Sequence, residues 1–355
     1  MTSHHGTIGR SCRVLLQGCR GPTVGGGVSG NEVTAIMRRI QQGGTWSAGT
    51  EYLAQGVVWI DGIPHLDVVD IRRKQVEVYP VLGQRVGLEV ASDRHFCMGR
   101  YAPVGGTGIA HVPCPAQSPA TEKDQCSDCA ARDEFRFAHH VHRGGYLPDV
   151  MATYLAQPHW VYVATFADGS SKVGTAAAVR KRSRLDEQGA TTATYVALAG
   201  NGRIARFAED EATQQLHLRQ TKRRSAKVAA LVQPAPPGHI EQQHRETVER
   251  LLHLLKPMTA TTDLALPVEH WVPPAAYAPF LDERSRTDWV PYPHDLGSGE
   301  HGLYIEGCAG PAALVRTRDD ADAPYYVADL GLLKGRRVIA GDHVSPDATV
   351  QTALF

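Results

Sequence analysis

The chain has no net charge and no long apolar run, and these absences exclude several classes of protein. Lys plus Arg and Asp plus Glu both number 37 among 355 residues, so the formal net charge at pH 7 is zero. That balance excludes a uniformly basic nucleic-acid binder. No stretch approaches the roughly 18 consecutive apolar residues of a membrane span. The N-terminus has no apolar segment followed by a small-residue cleavage site, so we expect a cytoplasmic protein without membrane contact.

Cysteines are few, and their odd number argues against a framework of disulfide bonds. Seven are present, and in a chain without a signal peptide they indicate metal ligands or free thiols. Four of them lie between residues 97 and 129, and only the last two of these four have the tight C-x2-C spacing that brings two thiolates to about 2.3 Å from one zinc ion. We predict a closed, structural Zn2+ site with the spacing C-x16-C-x11-C-x2-C, formed by Cys97, Cys114, Cys126 and Cys129.

The remaining thiols and two histidines give weaker signals. Reduced thiols without metal are the alternative for the cysteine group, and His95 or His111 could replace one cysteine as a ligand. Cys12 and Cys19 have only the loose C-x6-C spacing. Cys308 stands alone in an apolar segment, which is typical of a buried thiol.

The pattern along the chain predicts an α+β fold built from several modules. Strand-like runs separated by turn residues occur near both ends, and a helical period appears at 241–258. We expect a central α/β unit flanked by β-rich modules and a zinc-binding segment. The predicted segments are a poorly patterned, Gly-rich stretch (1–48), a β-rich module (49–94), the zinc-binding segment (95–145), the central unit (150–232), a helix with a Pro-rich connector (240–298) and a C-terminal β module (299–355).

The most informative pattern lies between residues 160 and 211. Two strand-like pieces, Trp160–Phe166 and Ser171–Gly174, flank a turn that contains Asp168-Gly169. An Asp-Gly pair between apolar runs predicts a β-hairpin. A basic helix, a strand and a helix over 204–216 are predicted to follow.

This layout resembles the GIY-YIG nuclease domain, in which a hairpin holds the two name motifs. In that domain the next helix supplies an arginine and a later helix supplies a metal-binding glutamate. Tyr162 stands where the family has GIY, and the resemblance implies that Arg184 is the cation and that Glu209 holds Mg2+ or Mn2+. Phosphodiester hydrolysis needs such a carboxylate-held ion and a cation to balance the developing charge.

The second motif departs from the family, because Lys172-Val173-Gly174 stands where the family has YIG. Some branches of the superfamily carry KIG or KVG at this point. A lysine can act as a base only if burial or neighbouring cations strongly lower its pKa. Binding of phosphate is the simpler role for Lys172.

The wider pattern resembles a bacterial family known as domain of unknown function 2797, over roughly residues 49–340. The resemblance implies a zinc-bearing protein with a GIY-YIG-like core, and it implies no established reaction. Its features occur here in the family's order: VLGQRV (81–86), CMGRY (97–101), Cys114-Pro115, Cys126 with Cys129, TYLAQPHWVYVA (153–164), SKVGT (171–175), RLDEQGA (184–190), RQTKRRSAKVAAL (219–231) and GLYIEGCAG (302–310).

Basic residues cluster locally although the net charge is zero. Two runs, within 172–184 and 217–227, each hold five Lys or Arg and suit contact with a phosphate backbone. A solvated helix face is the alternative for each run alone. The predicted nucleic-acid contacts are Arg180, Arg182, Arg219, Lys222, Arg223, Arg224 and Lys227.

Three functions fit these patterns. The first is a metal-dependent nuclease acting on DNA or RNA, and the second is a nucleic-acid-binding module of the same fold that does not cleave. The third is a small-molecule or group-transfer enzyme that uses a cysteine or a histidine of the turn at His139, His140 and His142. The sequence does not distinguish DNA from RNA or assign an oligomeric state.

Overall fold

The structure is a computed structural model that describes residues 45–104, 108–136, 141, 144, 146–282, 289–320 and 322–347. Cys12, Cys19 and the histidines of the 139–142 turn lie outside the described residues, as does most of the predicted segment 1–48. Among the helices of the described part, none is long and apolar enough to cross a bilayer.

The fold is mixed α+β, as the sequence predicts. The described part contains seven α-helices: α1 (Ser127–Arg132), α2 (Asp149–Ala156), α3 (Lys181–Asp186), α4 (Gly202–Leu216), α5 (Arg224–Val232), α6 (Pro237–Leu255) and α7 (Ala278–Leu281). The strands, in chain order, are β1 (Glu51–Ile60), β2 (Ile63–Asp70), β3 (Gln75–Pro80), β4 (Arg85–Val90), β5 (Arg100–Val104), β6 (Gly108–Val112), β7 (His159–Thr165), β8 (Ser171–Ala177), β9 (Thr192–Ala199), β10 (Leu264–Ala265), β11 (Glu269–His270), β12 (Val290–Pro291), β13 (Gly299–Ala309), β14 (Ala312–Arg316), β15 (Tyr326–Asp329) and β16 (Arg337–Ala340).

Nine strands form one sheet, called here the large sheet, in the order β12-β15-β14-β13-β4-β16-β1-β2-β3. Strands from both predicted β-rich modules therefore share a single sheet. The two parts join where β4 lies between β13 and β16, with Gly302 paired to Gly87. These pairings connect residues more than 200 positions apart, so no local sequence pattern could indicate them.

Five strands form a second, small sheet in the order β10-β9-β7-β8, with β11 also paired to β9. The predicted hairpin is confirmed, because β7 and β8 pair antiparallel from Thr165 and Ser171 at the turn to His159 and Ala177 at the open end. Gly169 takes a positive φ of 80° in the turn, a conformation that glycine adopts without strain. Its amide donates to the Phe166 carbonyl at 2.8 Å.

Side chains of β7 alternate between the two faces of the small sheet, and both faces are buried. Val161 and Val163 pack with the apolar faces of α4 and α6, represented by Ala208 and Leu251. Tyr162 and its neighbours on the opposite face join a core that includes residues of the large sheet. The face that carries Tyr162 is therefore buried in a core that the small sheet shares with the large sheet, which the alternation alone does not predict.

Helix α4 matches the helix predicted over 204–216. Its N-cap is Asn201, whose side-chain oxygen accepts a hydrogen bond from the Ile204 amide at 3.0 Å. That bond satisfies one of the amides that the first turn leaves without a partner. The helix ends at His217, which takes the left-handed conformation common after a helix C-terminus.

Helix α6 is fixed to the small sheet by His244, which is 7% exposed. Its Nδ1 and Nε2 each lie 2.8 Å from a threonine hydroxyl, that of Thr165 on β7 and that of Thr194 on β9. Burial, with a smaller effect of the nearby His270, lowers the pKa of His244 to about 4. The imidazole is therefore neutral in the folded protein at every pH well above 4.

We expect His244 to make the fold sensitive to acid. In the unfolded chain a histidine has a pKa near 6.5, so between about pH 6.5 and 4 the unfolded state binds a proton that the folded state does not. The stabilisation is complete above pH 6.5 and decreases as the pH falls, by about 2 kcal/mol at pH 5. Urea unfolding at pH 7.5 and pH 5 should show a smaller pH dependence for His244→Gln than for wild type or for the exposed-site control His253→Gln. Equal dependence in all three proteins would contradict this expectation.

Candidate functional site

Four buried cysteines lie together in the segment that the sequence predicts to bind zinc. The sulfur atoms of Cys97, Cys114, Cys126 and Cys129 all lie within 4.8 Å of one another, and those of Cys114 and Cys126 are 3.9 Å apart. A tetrahedral ion with metal–sulfur bonds of about 2.3 Å needs sulfur atoms about 3.8 Å apart. This cluster can therefore hold a metal ion, as the cysteine spacing predicts.

Local backbone geometry presents the thiols to one point. Gly99, two residues after Cys97, has φ 76° and donates its amide to the Cys97 sulfur at 3.3 Å. A Cβ atom at Gly99 would lie 2.1 Å from the Val112 carbonyl oxygen, so only glycine fits. Cys126 is the N-cap of α1, and Cys129 lies in the first turn of that helix.

Burial makes the cluster a poor place for thiolates without a cation. It raises the pKa of Cys97 to about 11 and also raises the pKa of Cys129. Although burial also acts on Cys126, hydrogen bonds from the Cys129 amide and the other thiols lower its pKa below the usual value. His111 does not join the group, because its Nε2 lies 2.5 Å from the Met98 carbonyl oxygen. Among the residues that the structure describes, His95 is not part of the group either.

Tyr162 lies on the backbone of Gly174, which faces it across the hairpin. A Cβ atom at Gly174 would lie 2.5 Å from the Tyr162 hydroxyl oxygen, so the phenol fits only against glycine. Tyr162 is fully buried, and its hydroxyl has no hydrogen-bond partner of ordinary geometry in the described part of the chain. Burial raises its pKa, and Arg184 opposes that effect.

Lys172 lies beside the same phenol and is 5% exposed. Its ammonium nitrogen is 5.7 Å from the centre of the Tyr162 ring. Burial, followed by the positive charges of Arg184 and Lys227, lowers the pKa of Lys172 to about 7. The condition under which this lysine could act as a base is therefore met.

The predicted cation and carboxylate belong to two helices at this site. Arg184 lies on α3, and its pKa is raised mainly by Tyr162 and also by Glu209. Among the described residues, no carboxylate forms an ion pair with Arg184 within 4 Å. Glu209, on α4, is 3% exposed and pairs with Arg206 at 2.6 Å. The structure thus brings Tyr162, Lys172, Arg184 and Glu209 close enough to influence one another's charge, and their roles stay predictions.

Several of the predicted nucleic-acid contacts are engaged inside the protein. The ammonium group of Lys222 pairs with Asp168 at the tip of the hairpin. The Arg224 side chain donates to the Gly331 carbonyl oxygen. The Lys227 side chain donates to the Gln188 carbonyl oxygen at 2.6 Å. These contacts fix the basic segment 219–227 to the rest of the fold.

The other predicted contacts are more accessible. Arg180 binds both carboxylate oxygens of Glu187, and the more exposed Arg182 lies 3.8 Å from Asp186. Arg219 and Arg223 are exposed and form no side-chain bond with the described residues. Of the basic run 217–227, these two are the best placed to meet a phosphate backbone.

A cavity of about 190 Å³ lies beside Arg184. Arg180 and Arg206 also line it, together with His159 and Thr175 of the hairpin. The sequence patterns did not identify Arg206, His159 or Thr175 as site residues. The i, i+3 spacing of Arg206 and Glu209 on a helix was the one signal that could have linked them.

Comparison with protein-family models matches residues 113–284 to the family described as protein of unknown function (DUF2797). This part of the chain is similar to that family. The DUF2797 match contains Cys114, Cys126 and Cys129, the hairpin and helices α3 to α6. Cys97 and the strands of the large sheet lie outside it. Neither the search of curated proteins nor the search of solved structures found a match.

Proposed function

We propose that the chain acts on nucleic acid through a GIY-YIG-like core. The order of elements supports this, because the hairpin with Tyr162 and Gly174 is followed by a helix with Arg184, a strand and a helix with Glu209. The observation that carries the proposal is the group around the Tyr162 phenol, where Lys172, Arg184 and Glu209 arrive from three different elements. A cation beside a buried phenol and a carboxylate suits phosphate chemistry.

Lys172 takes the role of proton acceptor in this proposal. A pKa of about 7 leaves a substantial neutral fraction at physiological pH, which is the range that a general base needs. Arg184 balances negative charge that develops on the phosphate. Tyr162 positions these groups, since its ring contacts Lys172 and its hydroxyl faces Arg184.

Glu209 fits a divalent cation only as a single ligand. Among the described residues it belongs to no group of three or more metal-ligating side chains, and one of its oxygens is bonded to Arg206. Mg2+ is commonly held by one or two carboxylates together with substrate phosphates and water. With Arg206 turned to the phosphate, Glu209 would hold Mg2+ or Mn2+, and the ion would supply charge to the scissile group.

We propose Zn2+ as the ion of the cysteine cluster. Four thiolates in a tetrahedral arrangement favour zinc or an iron–sulfur centre, and a single ion fits sulfur atoms within 4.8 Å of one another. Cysteine fills every position, so the ion has no open site for substrate. Its role is to hold the segment between Cys97 and Cys129 in place.

A second candidate function is binding of nucleic acid without cleavage. The ion pair between Arg206 and Glu209 favours it, because the carboxylate is neutralised and almost fully buried. The lysine in place of the second motif tyrosine favours it as well. In this case binding would fall steeply with salt and would survive the loss of Glu209.

Gel assays of wild type, Glu209→Gln and the control Glu211→Gln distinguish the two candidates. Each protein is incubated with labelled single-stranded, duplex and branched DNA and with tRNA, in Mg2+, Mn2+ or EDTA. Samples are divided between native and denaturing gels. Glu211 lies on the same helix, so its replacement controls for charge.

If the protein is a nuclease, wild type and Glu211→Gln should cleave in a metal-dependent way. The cleavage rate of Glu209→Gln should be at least about a hundredfold lower than that of wild type. A non-cleaving module predicts equal, salt-sensitive binding by all three proteins. Absence of both cleavage and binding would refute the proposal that the chain acts on nucleic acid.

A further inference from the structure

The arginine-lined cavity combines cations with apolar groups. Its three guanidinium groups belong to Arg180, Arg184 and Arg206. The rings of Phe135, which is partly exposed, and Tyr154, which is buried, also line it, 5.4 Å apart in an edge-to-face arrangement. Such a combination suits a ligand with an anionic head and an apolar or aromatic body.

Charge in the cavity is only partly compensated. Glu187 neutralises Arg180, with oxygen atoms 2.6 and 2.9 Å from Nη2, and Glu209 neutralises Arg206. Arg184 is the third cation, and no carboxylate of the described part lies within 4 Å of it. One positive charge therefore remains. Gly202, the first residue of α4, also lines the cavity, so the positive end of the helix dipole adds to it.

Access to the site limits what can bind. Tyr162, Lys172 and Glu209 are 0, 5 and 3% exposed, so the fold leaves them almost no contact with solvent. The cavity holds about 190 Å³. Pockets for drug-sized ligands hold roughly 300–1,000 Å³, so only a group of a few atoms enters fully. A phosphate inside a continuous duplex has a nucleotide on each side of it, and this space does not hold both.

We propose that the cavity binds the terminal phosphate of a nucleic-acid strand. This inference rests on the proposed function and narrows it, from nucleic acid in general to strand ends. Arg184 holds the phosphate, Arg180 and Arg206 support it, and the terminal base packs on the partly exposed ring of Phe135, where stacking is independent of sequence. The site therefore selects ends and not the interior of a duplex.

Equilibrium binding of labelled single strands of about 12 nucleotides tests the inference. One sequence is prepared with a 5′-phosphate, with a 3′-phosphate, with two hydroxyl ends and as a closed circle. The proteins are wild type, Arg184→Gln, Arg180→Gln and the control Arg203→Gln, whose exposed side chain lies on α4 outside the cavity lining. Circular dichroism checks that each variant is folded. If Arg184→Gln does not fold, Arg180→Gln tests the inference in its place.

We expect at least about tenfold tighter binding of one phosphorylated end than of the hydroxyl or circular forms. The two cavity variants should lose this preference, and Arg203→Gln should keep it. A nucleoside monophosphate should compete with the phosphorylated strand. Equal affinity for all four forms in wild type would overturn the inference and leave the proposed function intact. Failure to bind any form, the circle included, would overturn the proposed function together with the inference.

Discussion

Replacing Cys129 with serine is expected to remove the metal ion and to unfold the segment around it. Four thiolates within 4.8 Å of one another supply a complete coordination shell, and a serine hydroxyl is a far weaker ligand. Binding of structural zinc contributes about 10–16 kcal/mol in small zinc domains, so its loss removes the main stabilisation of this segment. We expect the free energy of unfolding to fall by more than about 4 kcal/mol.

Cys308→Ala is the matched control for this variant. Cys308 is also a buried thiol whose pKa is raised to about 12 by burial, but it lies on β13, away from the cluster. Elemental analysis should find about one zinc per chain in wild type and in Cys308→Ala, and less than about 0.2 in Cys129→Ser. Wild-type protein purified without chelators that contains no metal, and whose thiols all react without denaturant, would contradict the zinc assignment.

Replacing Lys172 with methionine is expected to stabilise the fold and to abolish activity. The pKa of Lys172 falls from the 10.5 of an exposed lysine to about 7 in the folded protein. At pH 7 the unfolded chain is fully protonated there, so folding is opposed by about 2 to 4 kcal/mol. Methionine fills a similar volume without a charge, and it removes repulsion from Arg184 and Lys227. A residue that destabilises the fold in this way indicates a functional role.

The size of this effect depends on pH and gives a second check. Between pH 7 and 10.5 the unfolded state binds a proton that the folded state has lost, so wild-type stability rises with pH. The advantage of Lys172→Met should therefore shrink at pH 10. Lys256→Met, at an exposed position on the surface, should change stability by less than about 0.5 kcal/mol at either pH. A Lys172→Met protein that is less stable than wild type at pH 7 would exclude the proposed environment of this lysine.

Local features of the fold could be predicted from the sequence because they depend on neighbouring residues. The Asp168-Gly169 pair predicted the hairpin, and the helical period at 241–258 predicted α6. The cysteine spacing predicted the cluster, since a knuckle and two loop cysteines need only short connections. Each of these patterns lies within one short part of the chain, so contacts with distant residues did not override it.

Long-range features of the site could not be predicted in this way. Nothing in the strands near Tyr162 indicates that they share a core with the large sheet, because that sheet is formed from both ends of the described chain. The basic run 217–227 has the composition of a phosphate-binding surface, yet Lys222 contacts the hairpin and Arg224 contacts the segment between β15 and β16. Composition reports the charge of a side chain, and only the fold determines its partner.

Photo-crosslinking tests most directly whether the site around Tyr162 binds nucleic acid. Single-stranded oligonucleotides with a photoreactive base at the 5′ or 3′ end are bound to wild type, irradiated and mapped by peptide mass spectrometry. The proposed function predicts adducts in peptides of the hairpin, α3, α4 or the cavity lining near Phe135 and Tyr154, reduced by unlabelled competitor and by Arg184→Gln. Adducts confined to the outer strands of the large sheet, unchanged in Arg184→Gln, would contradict it.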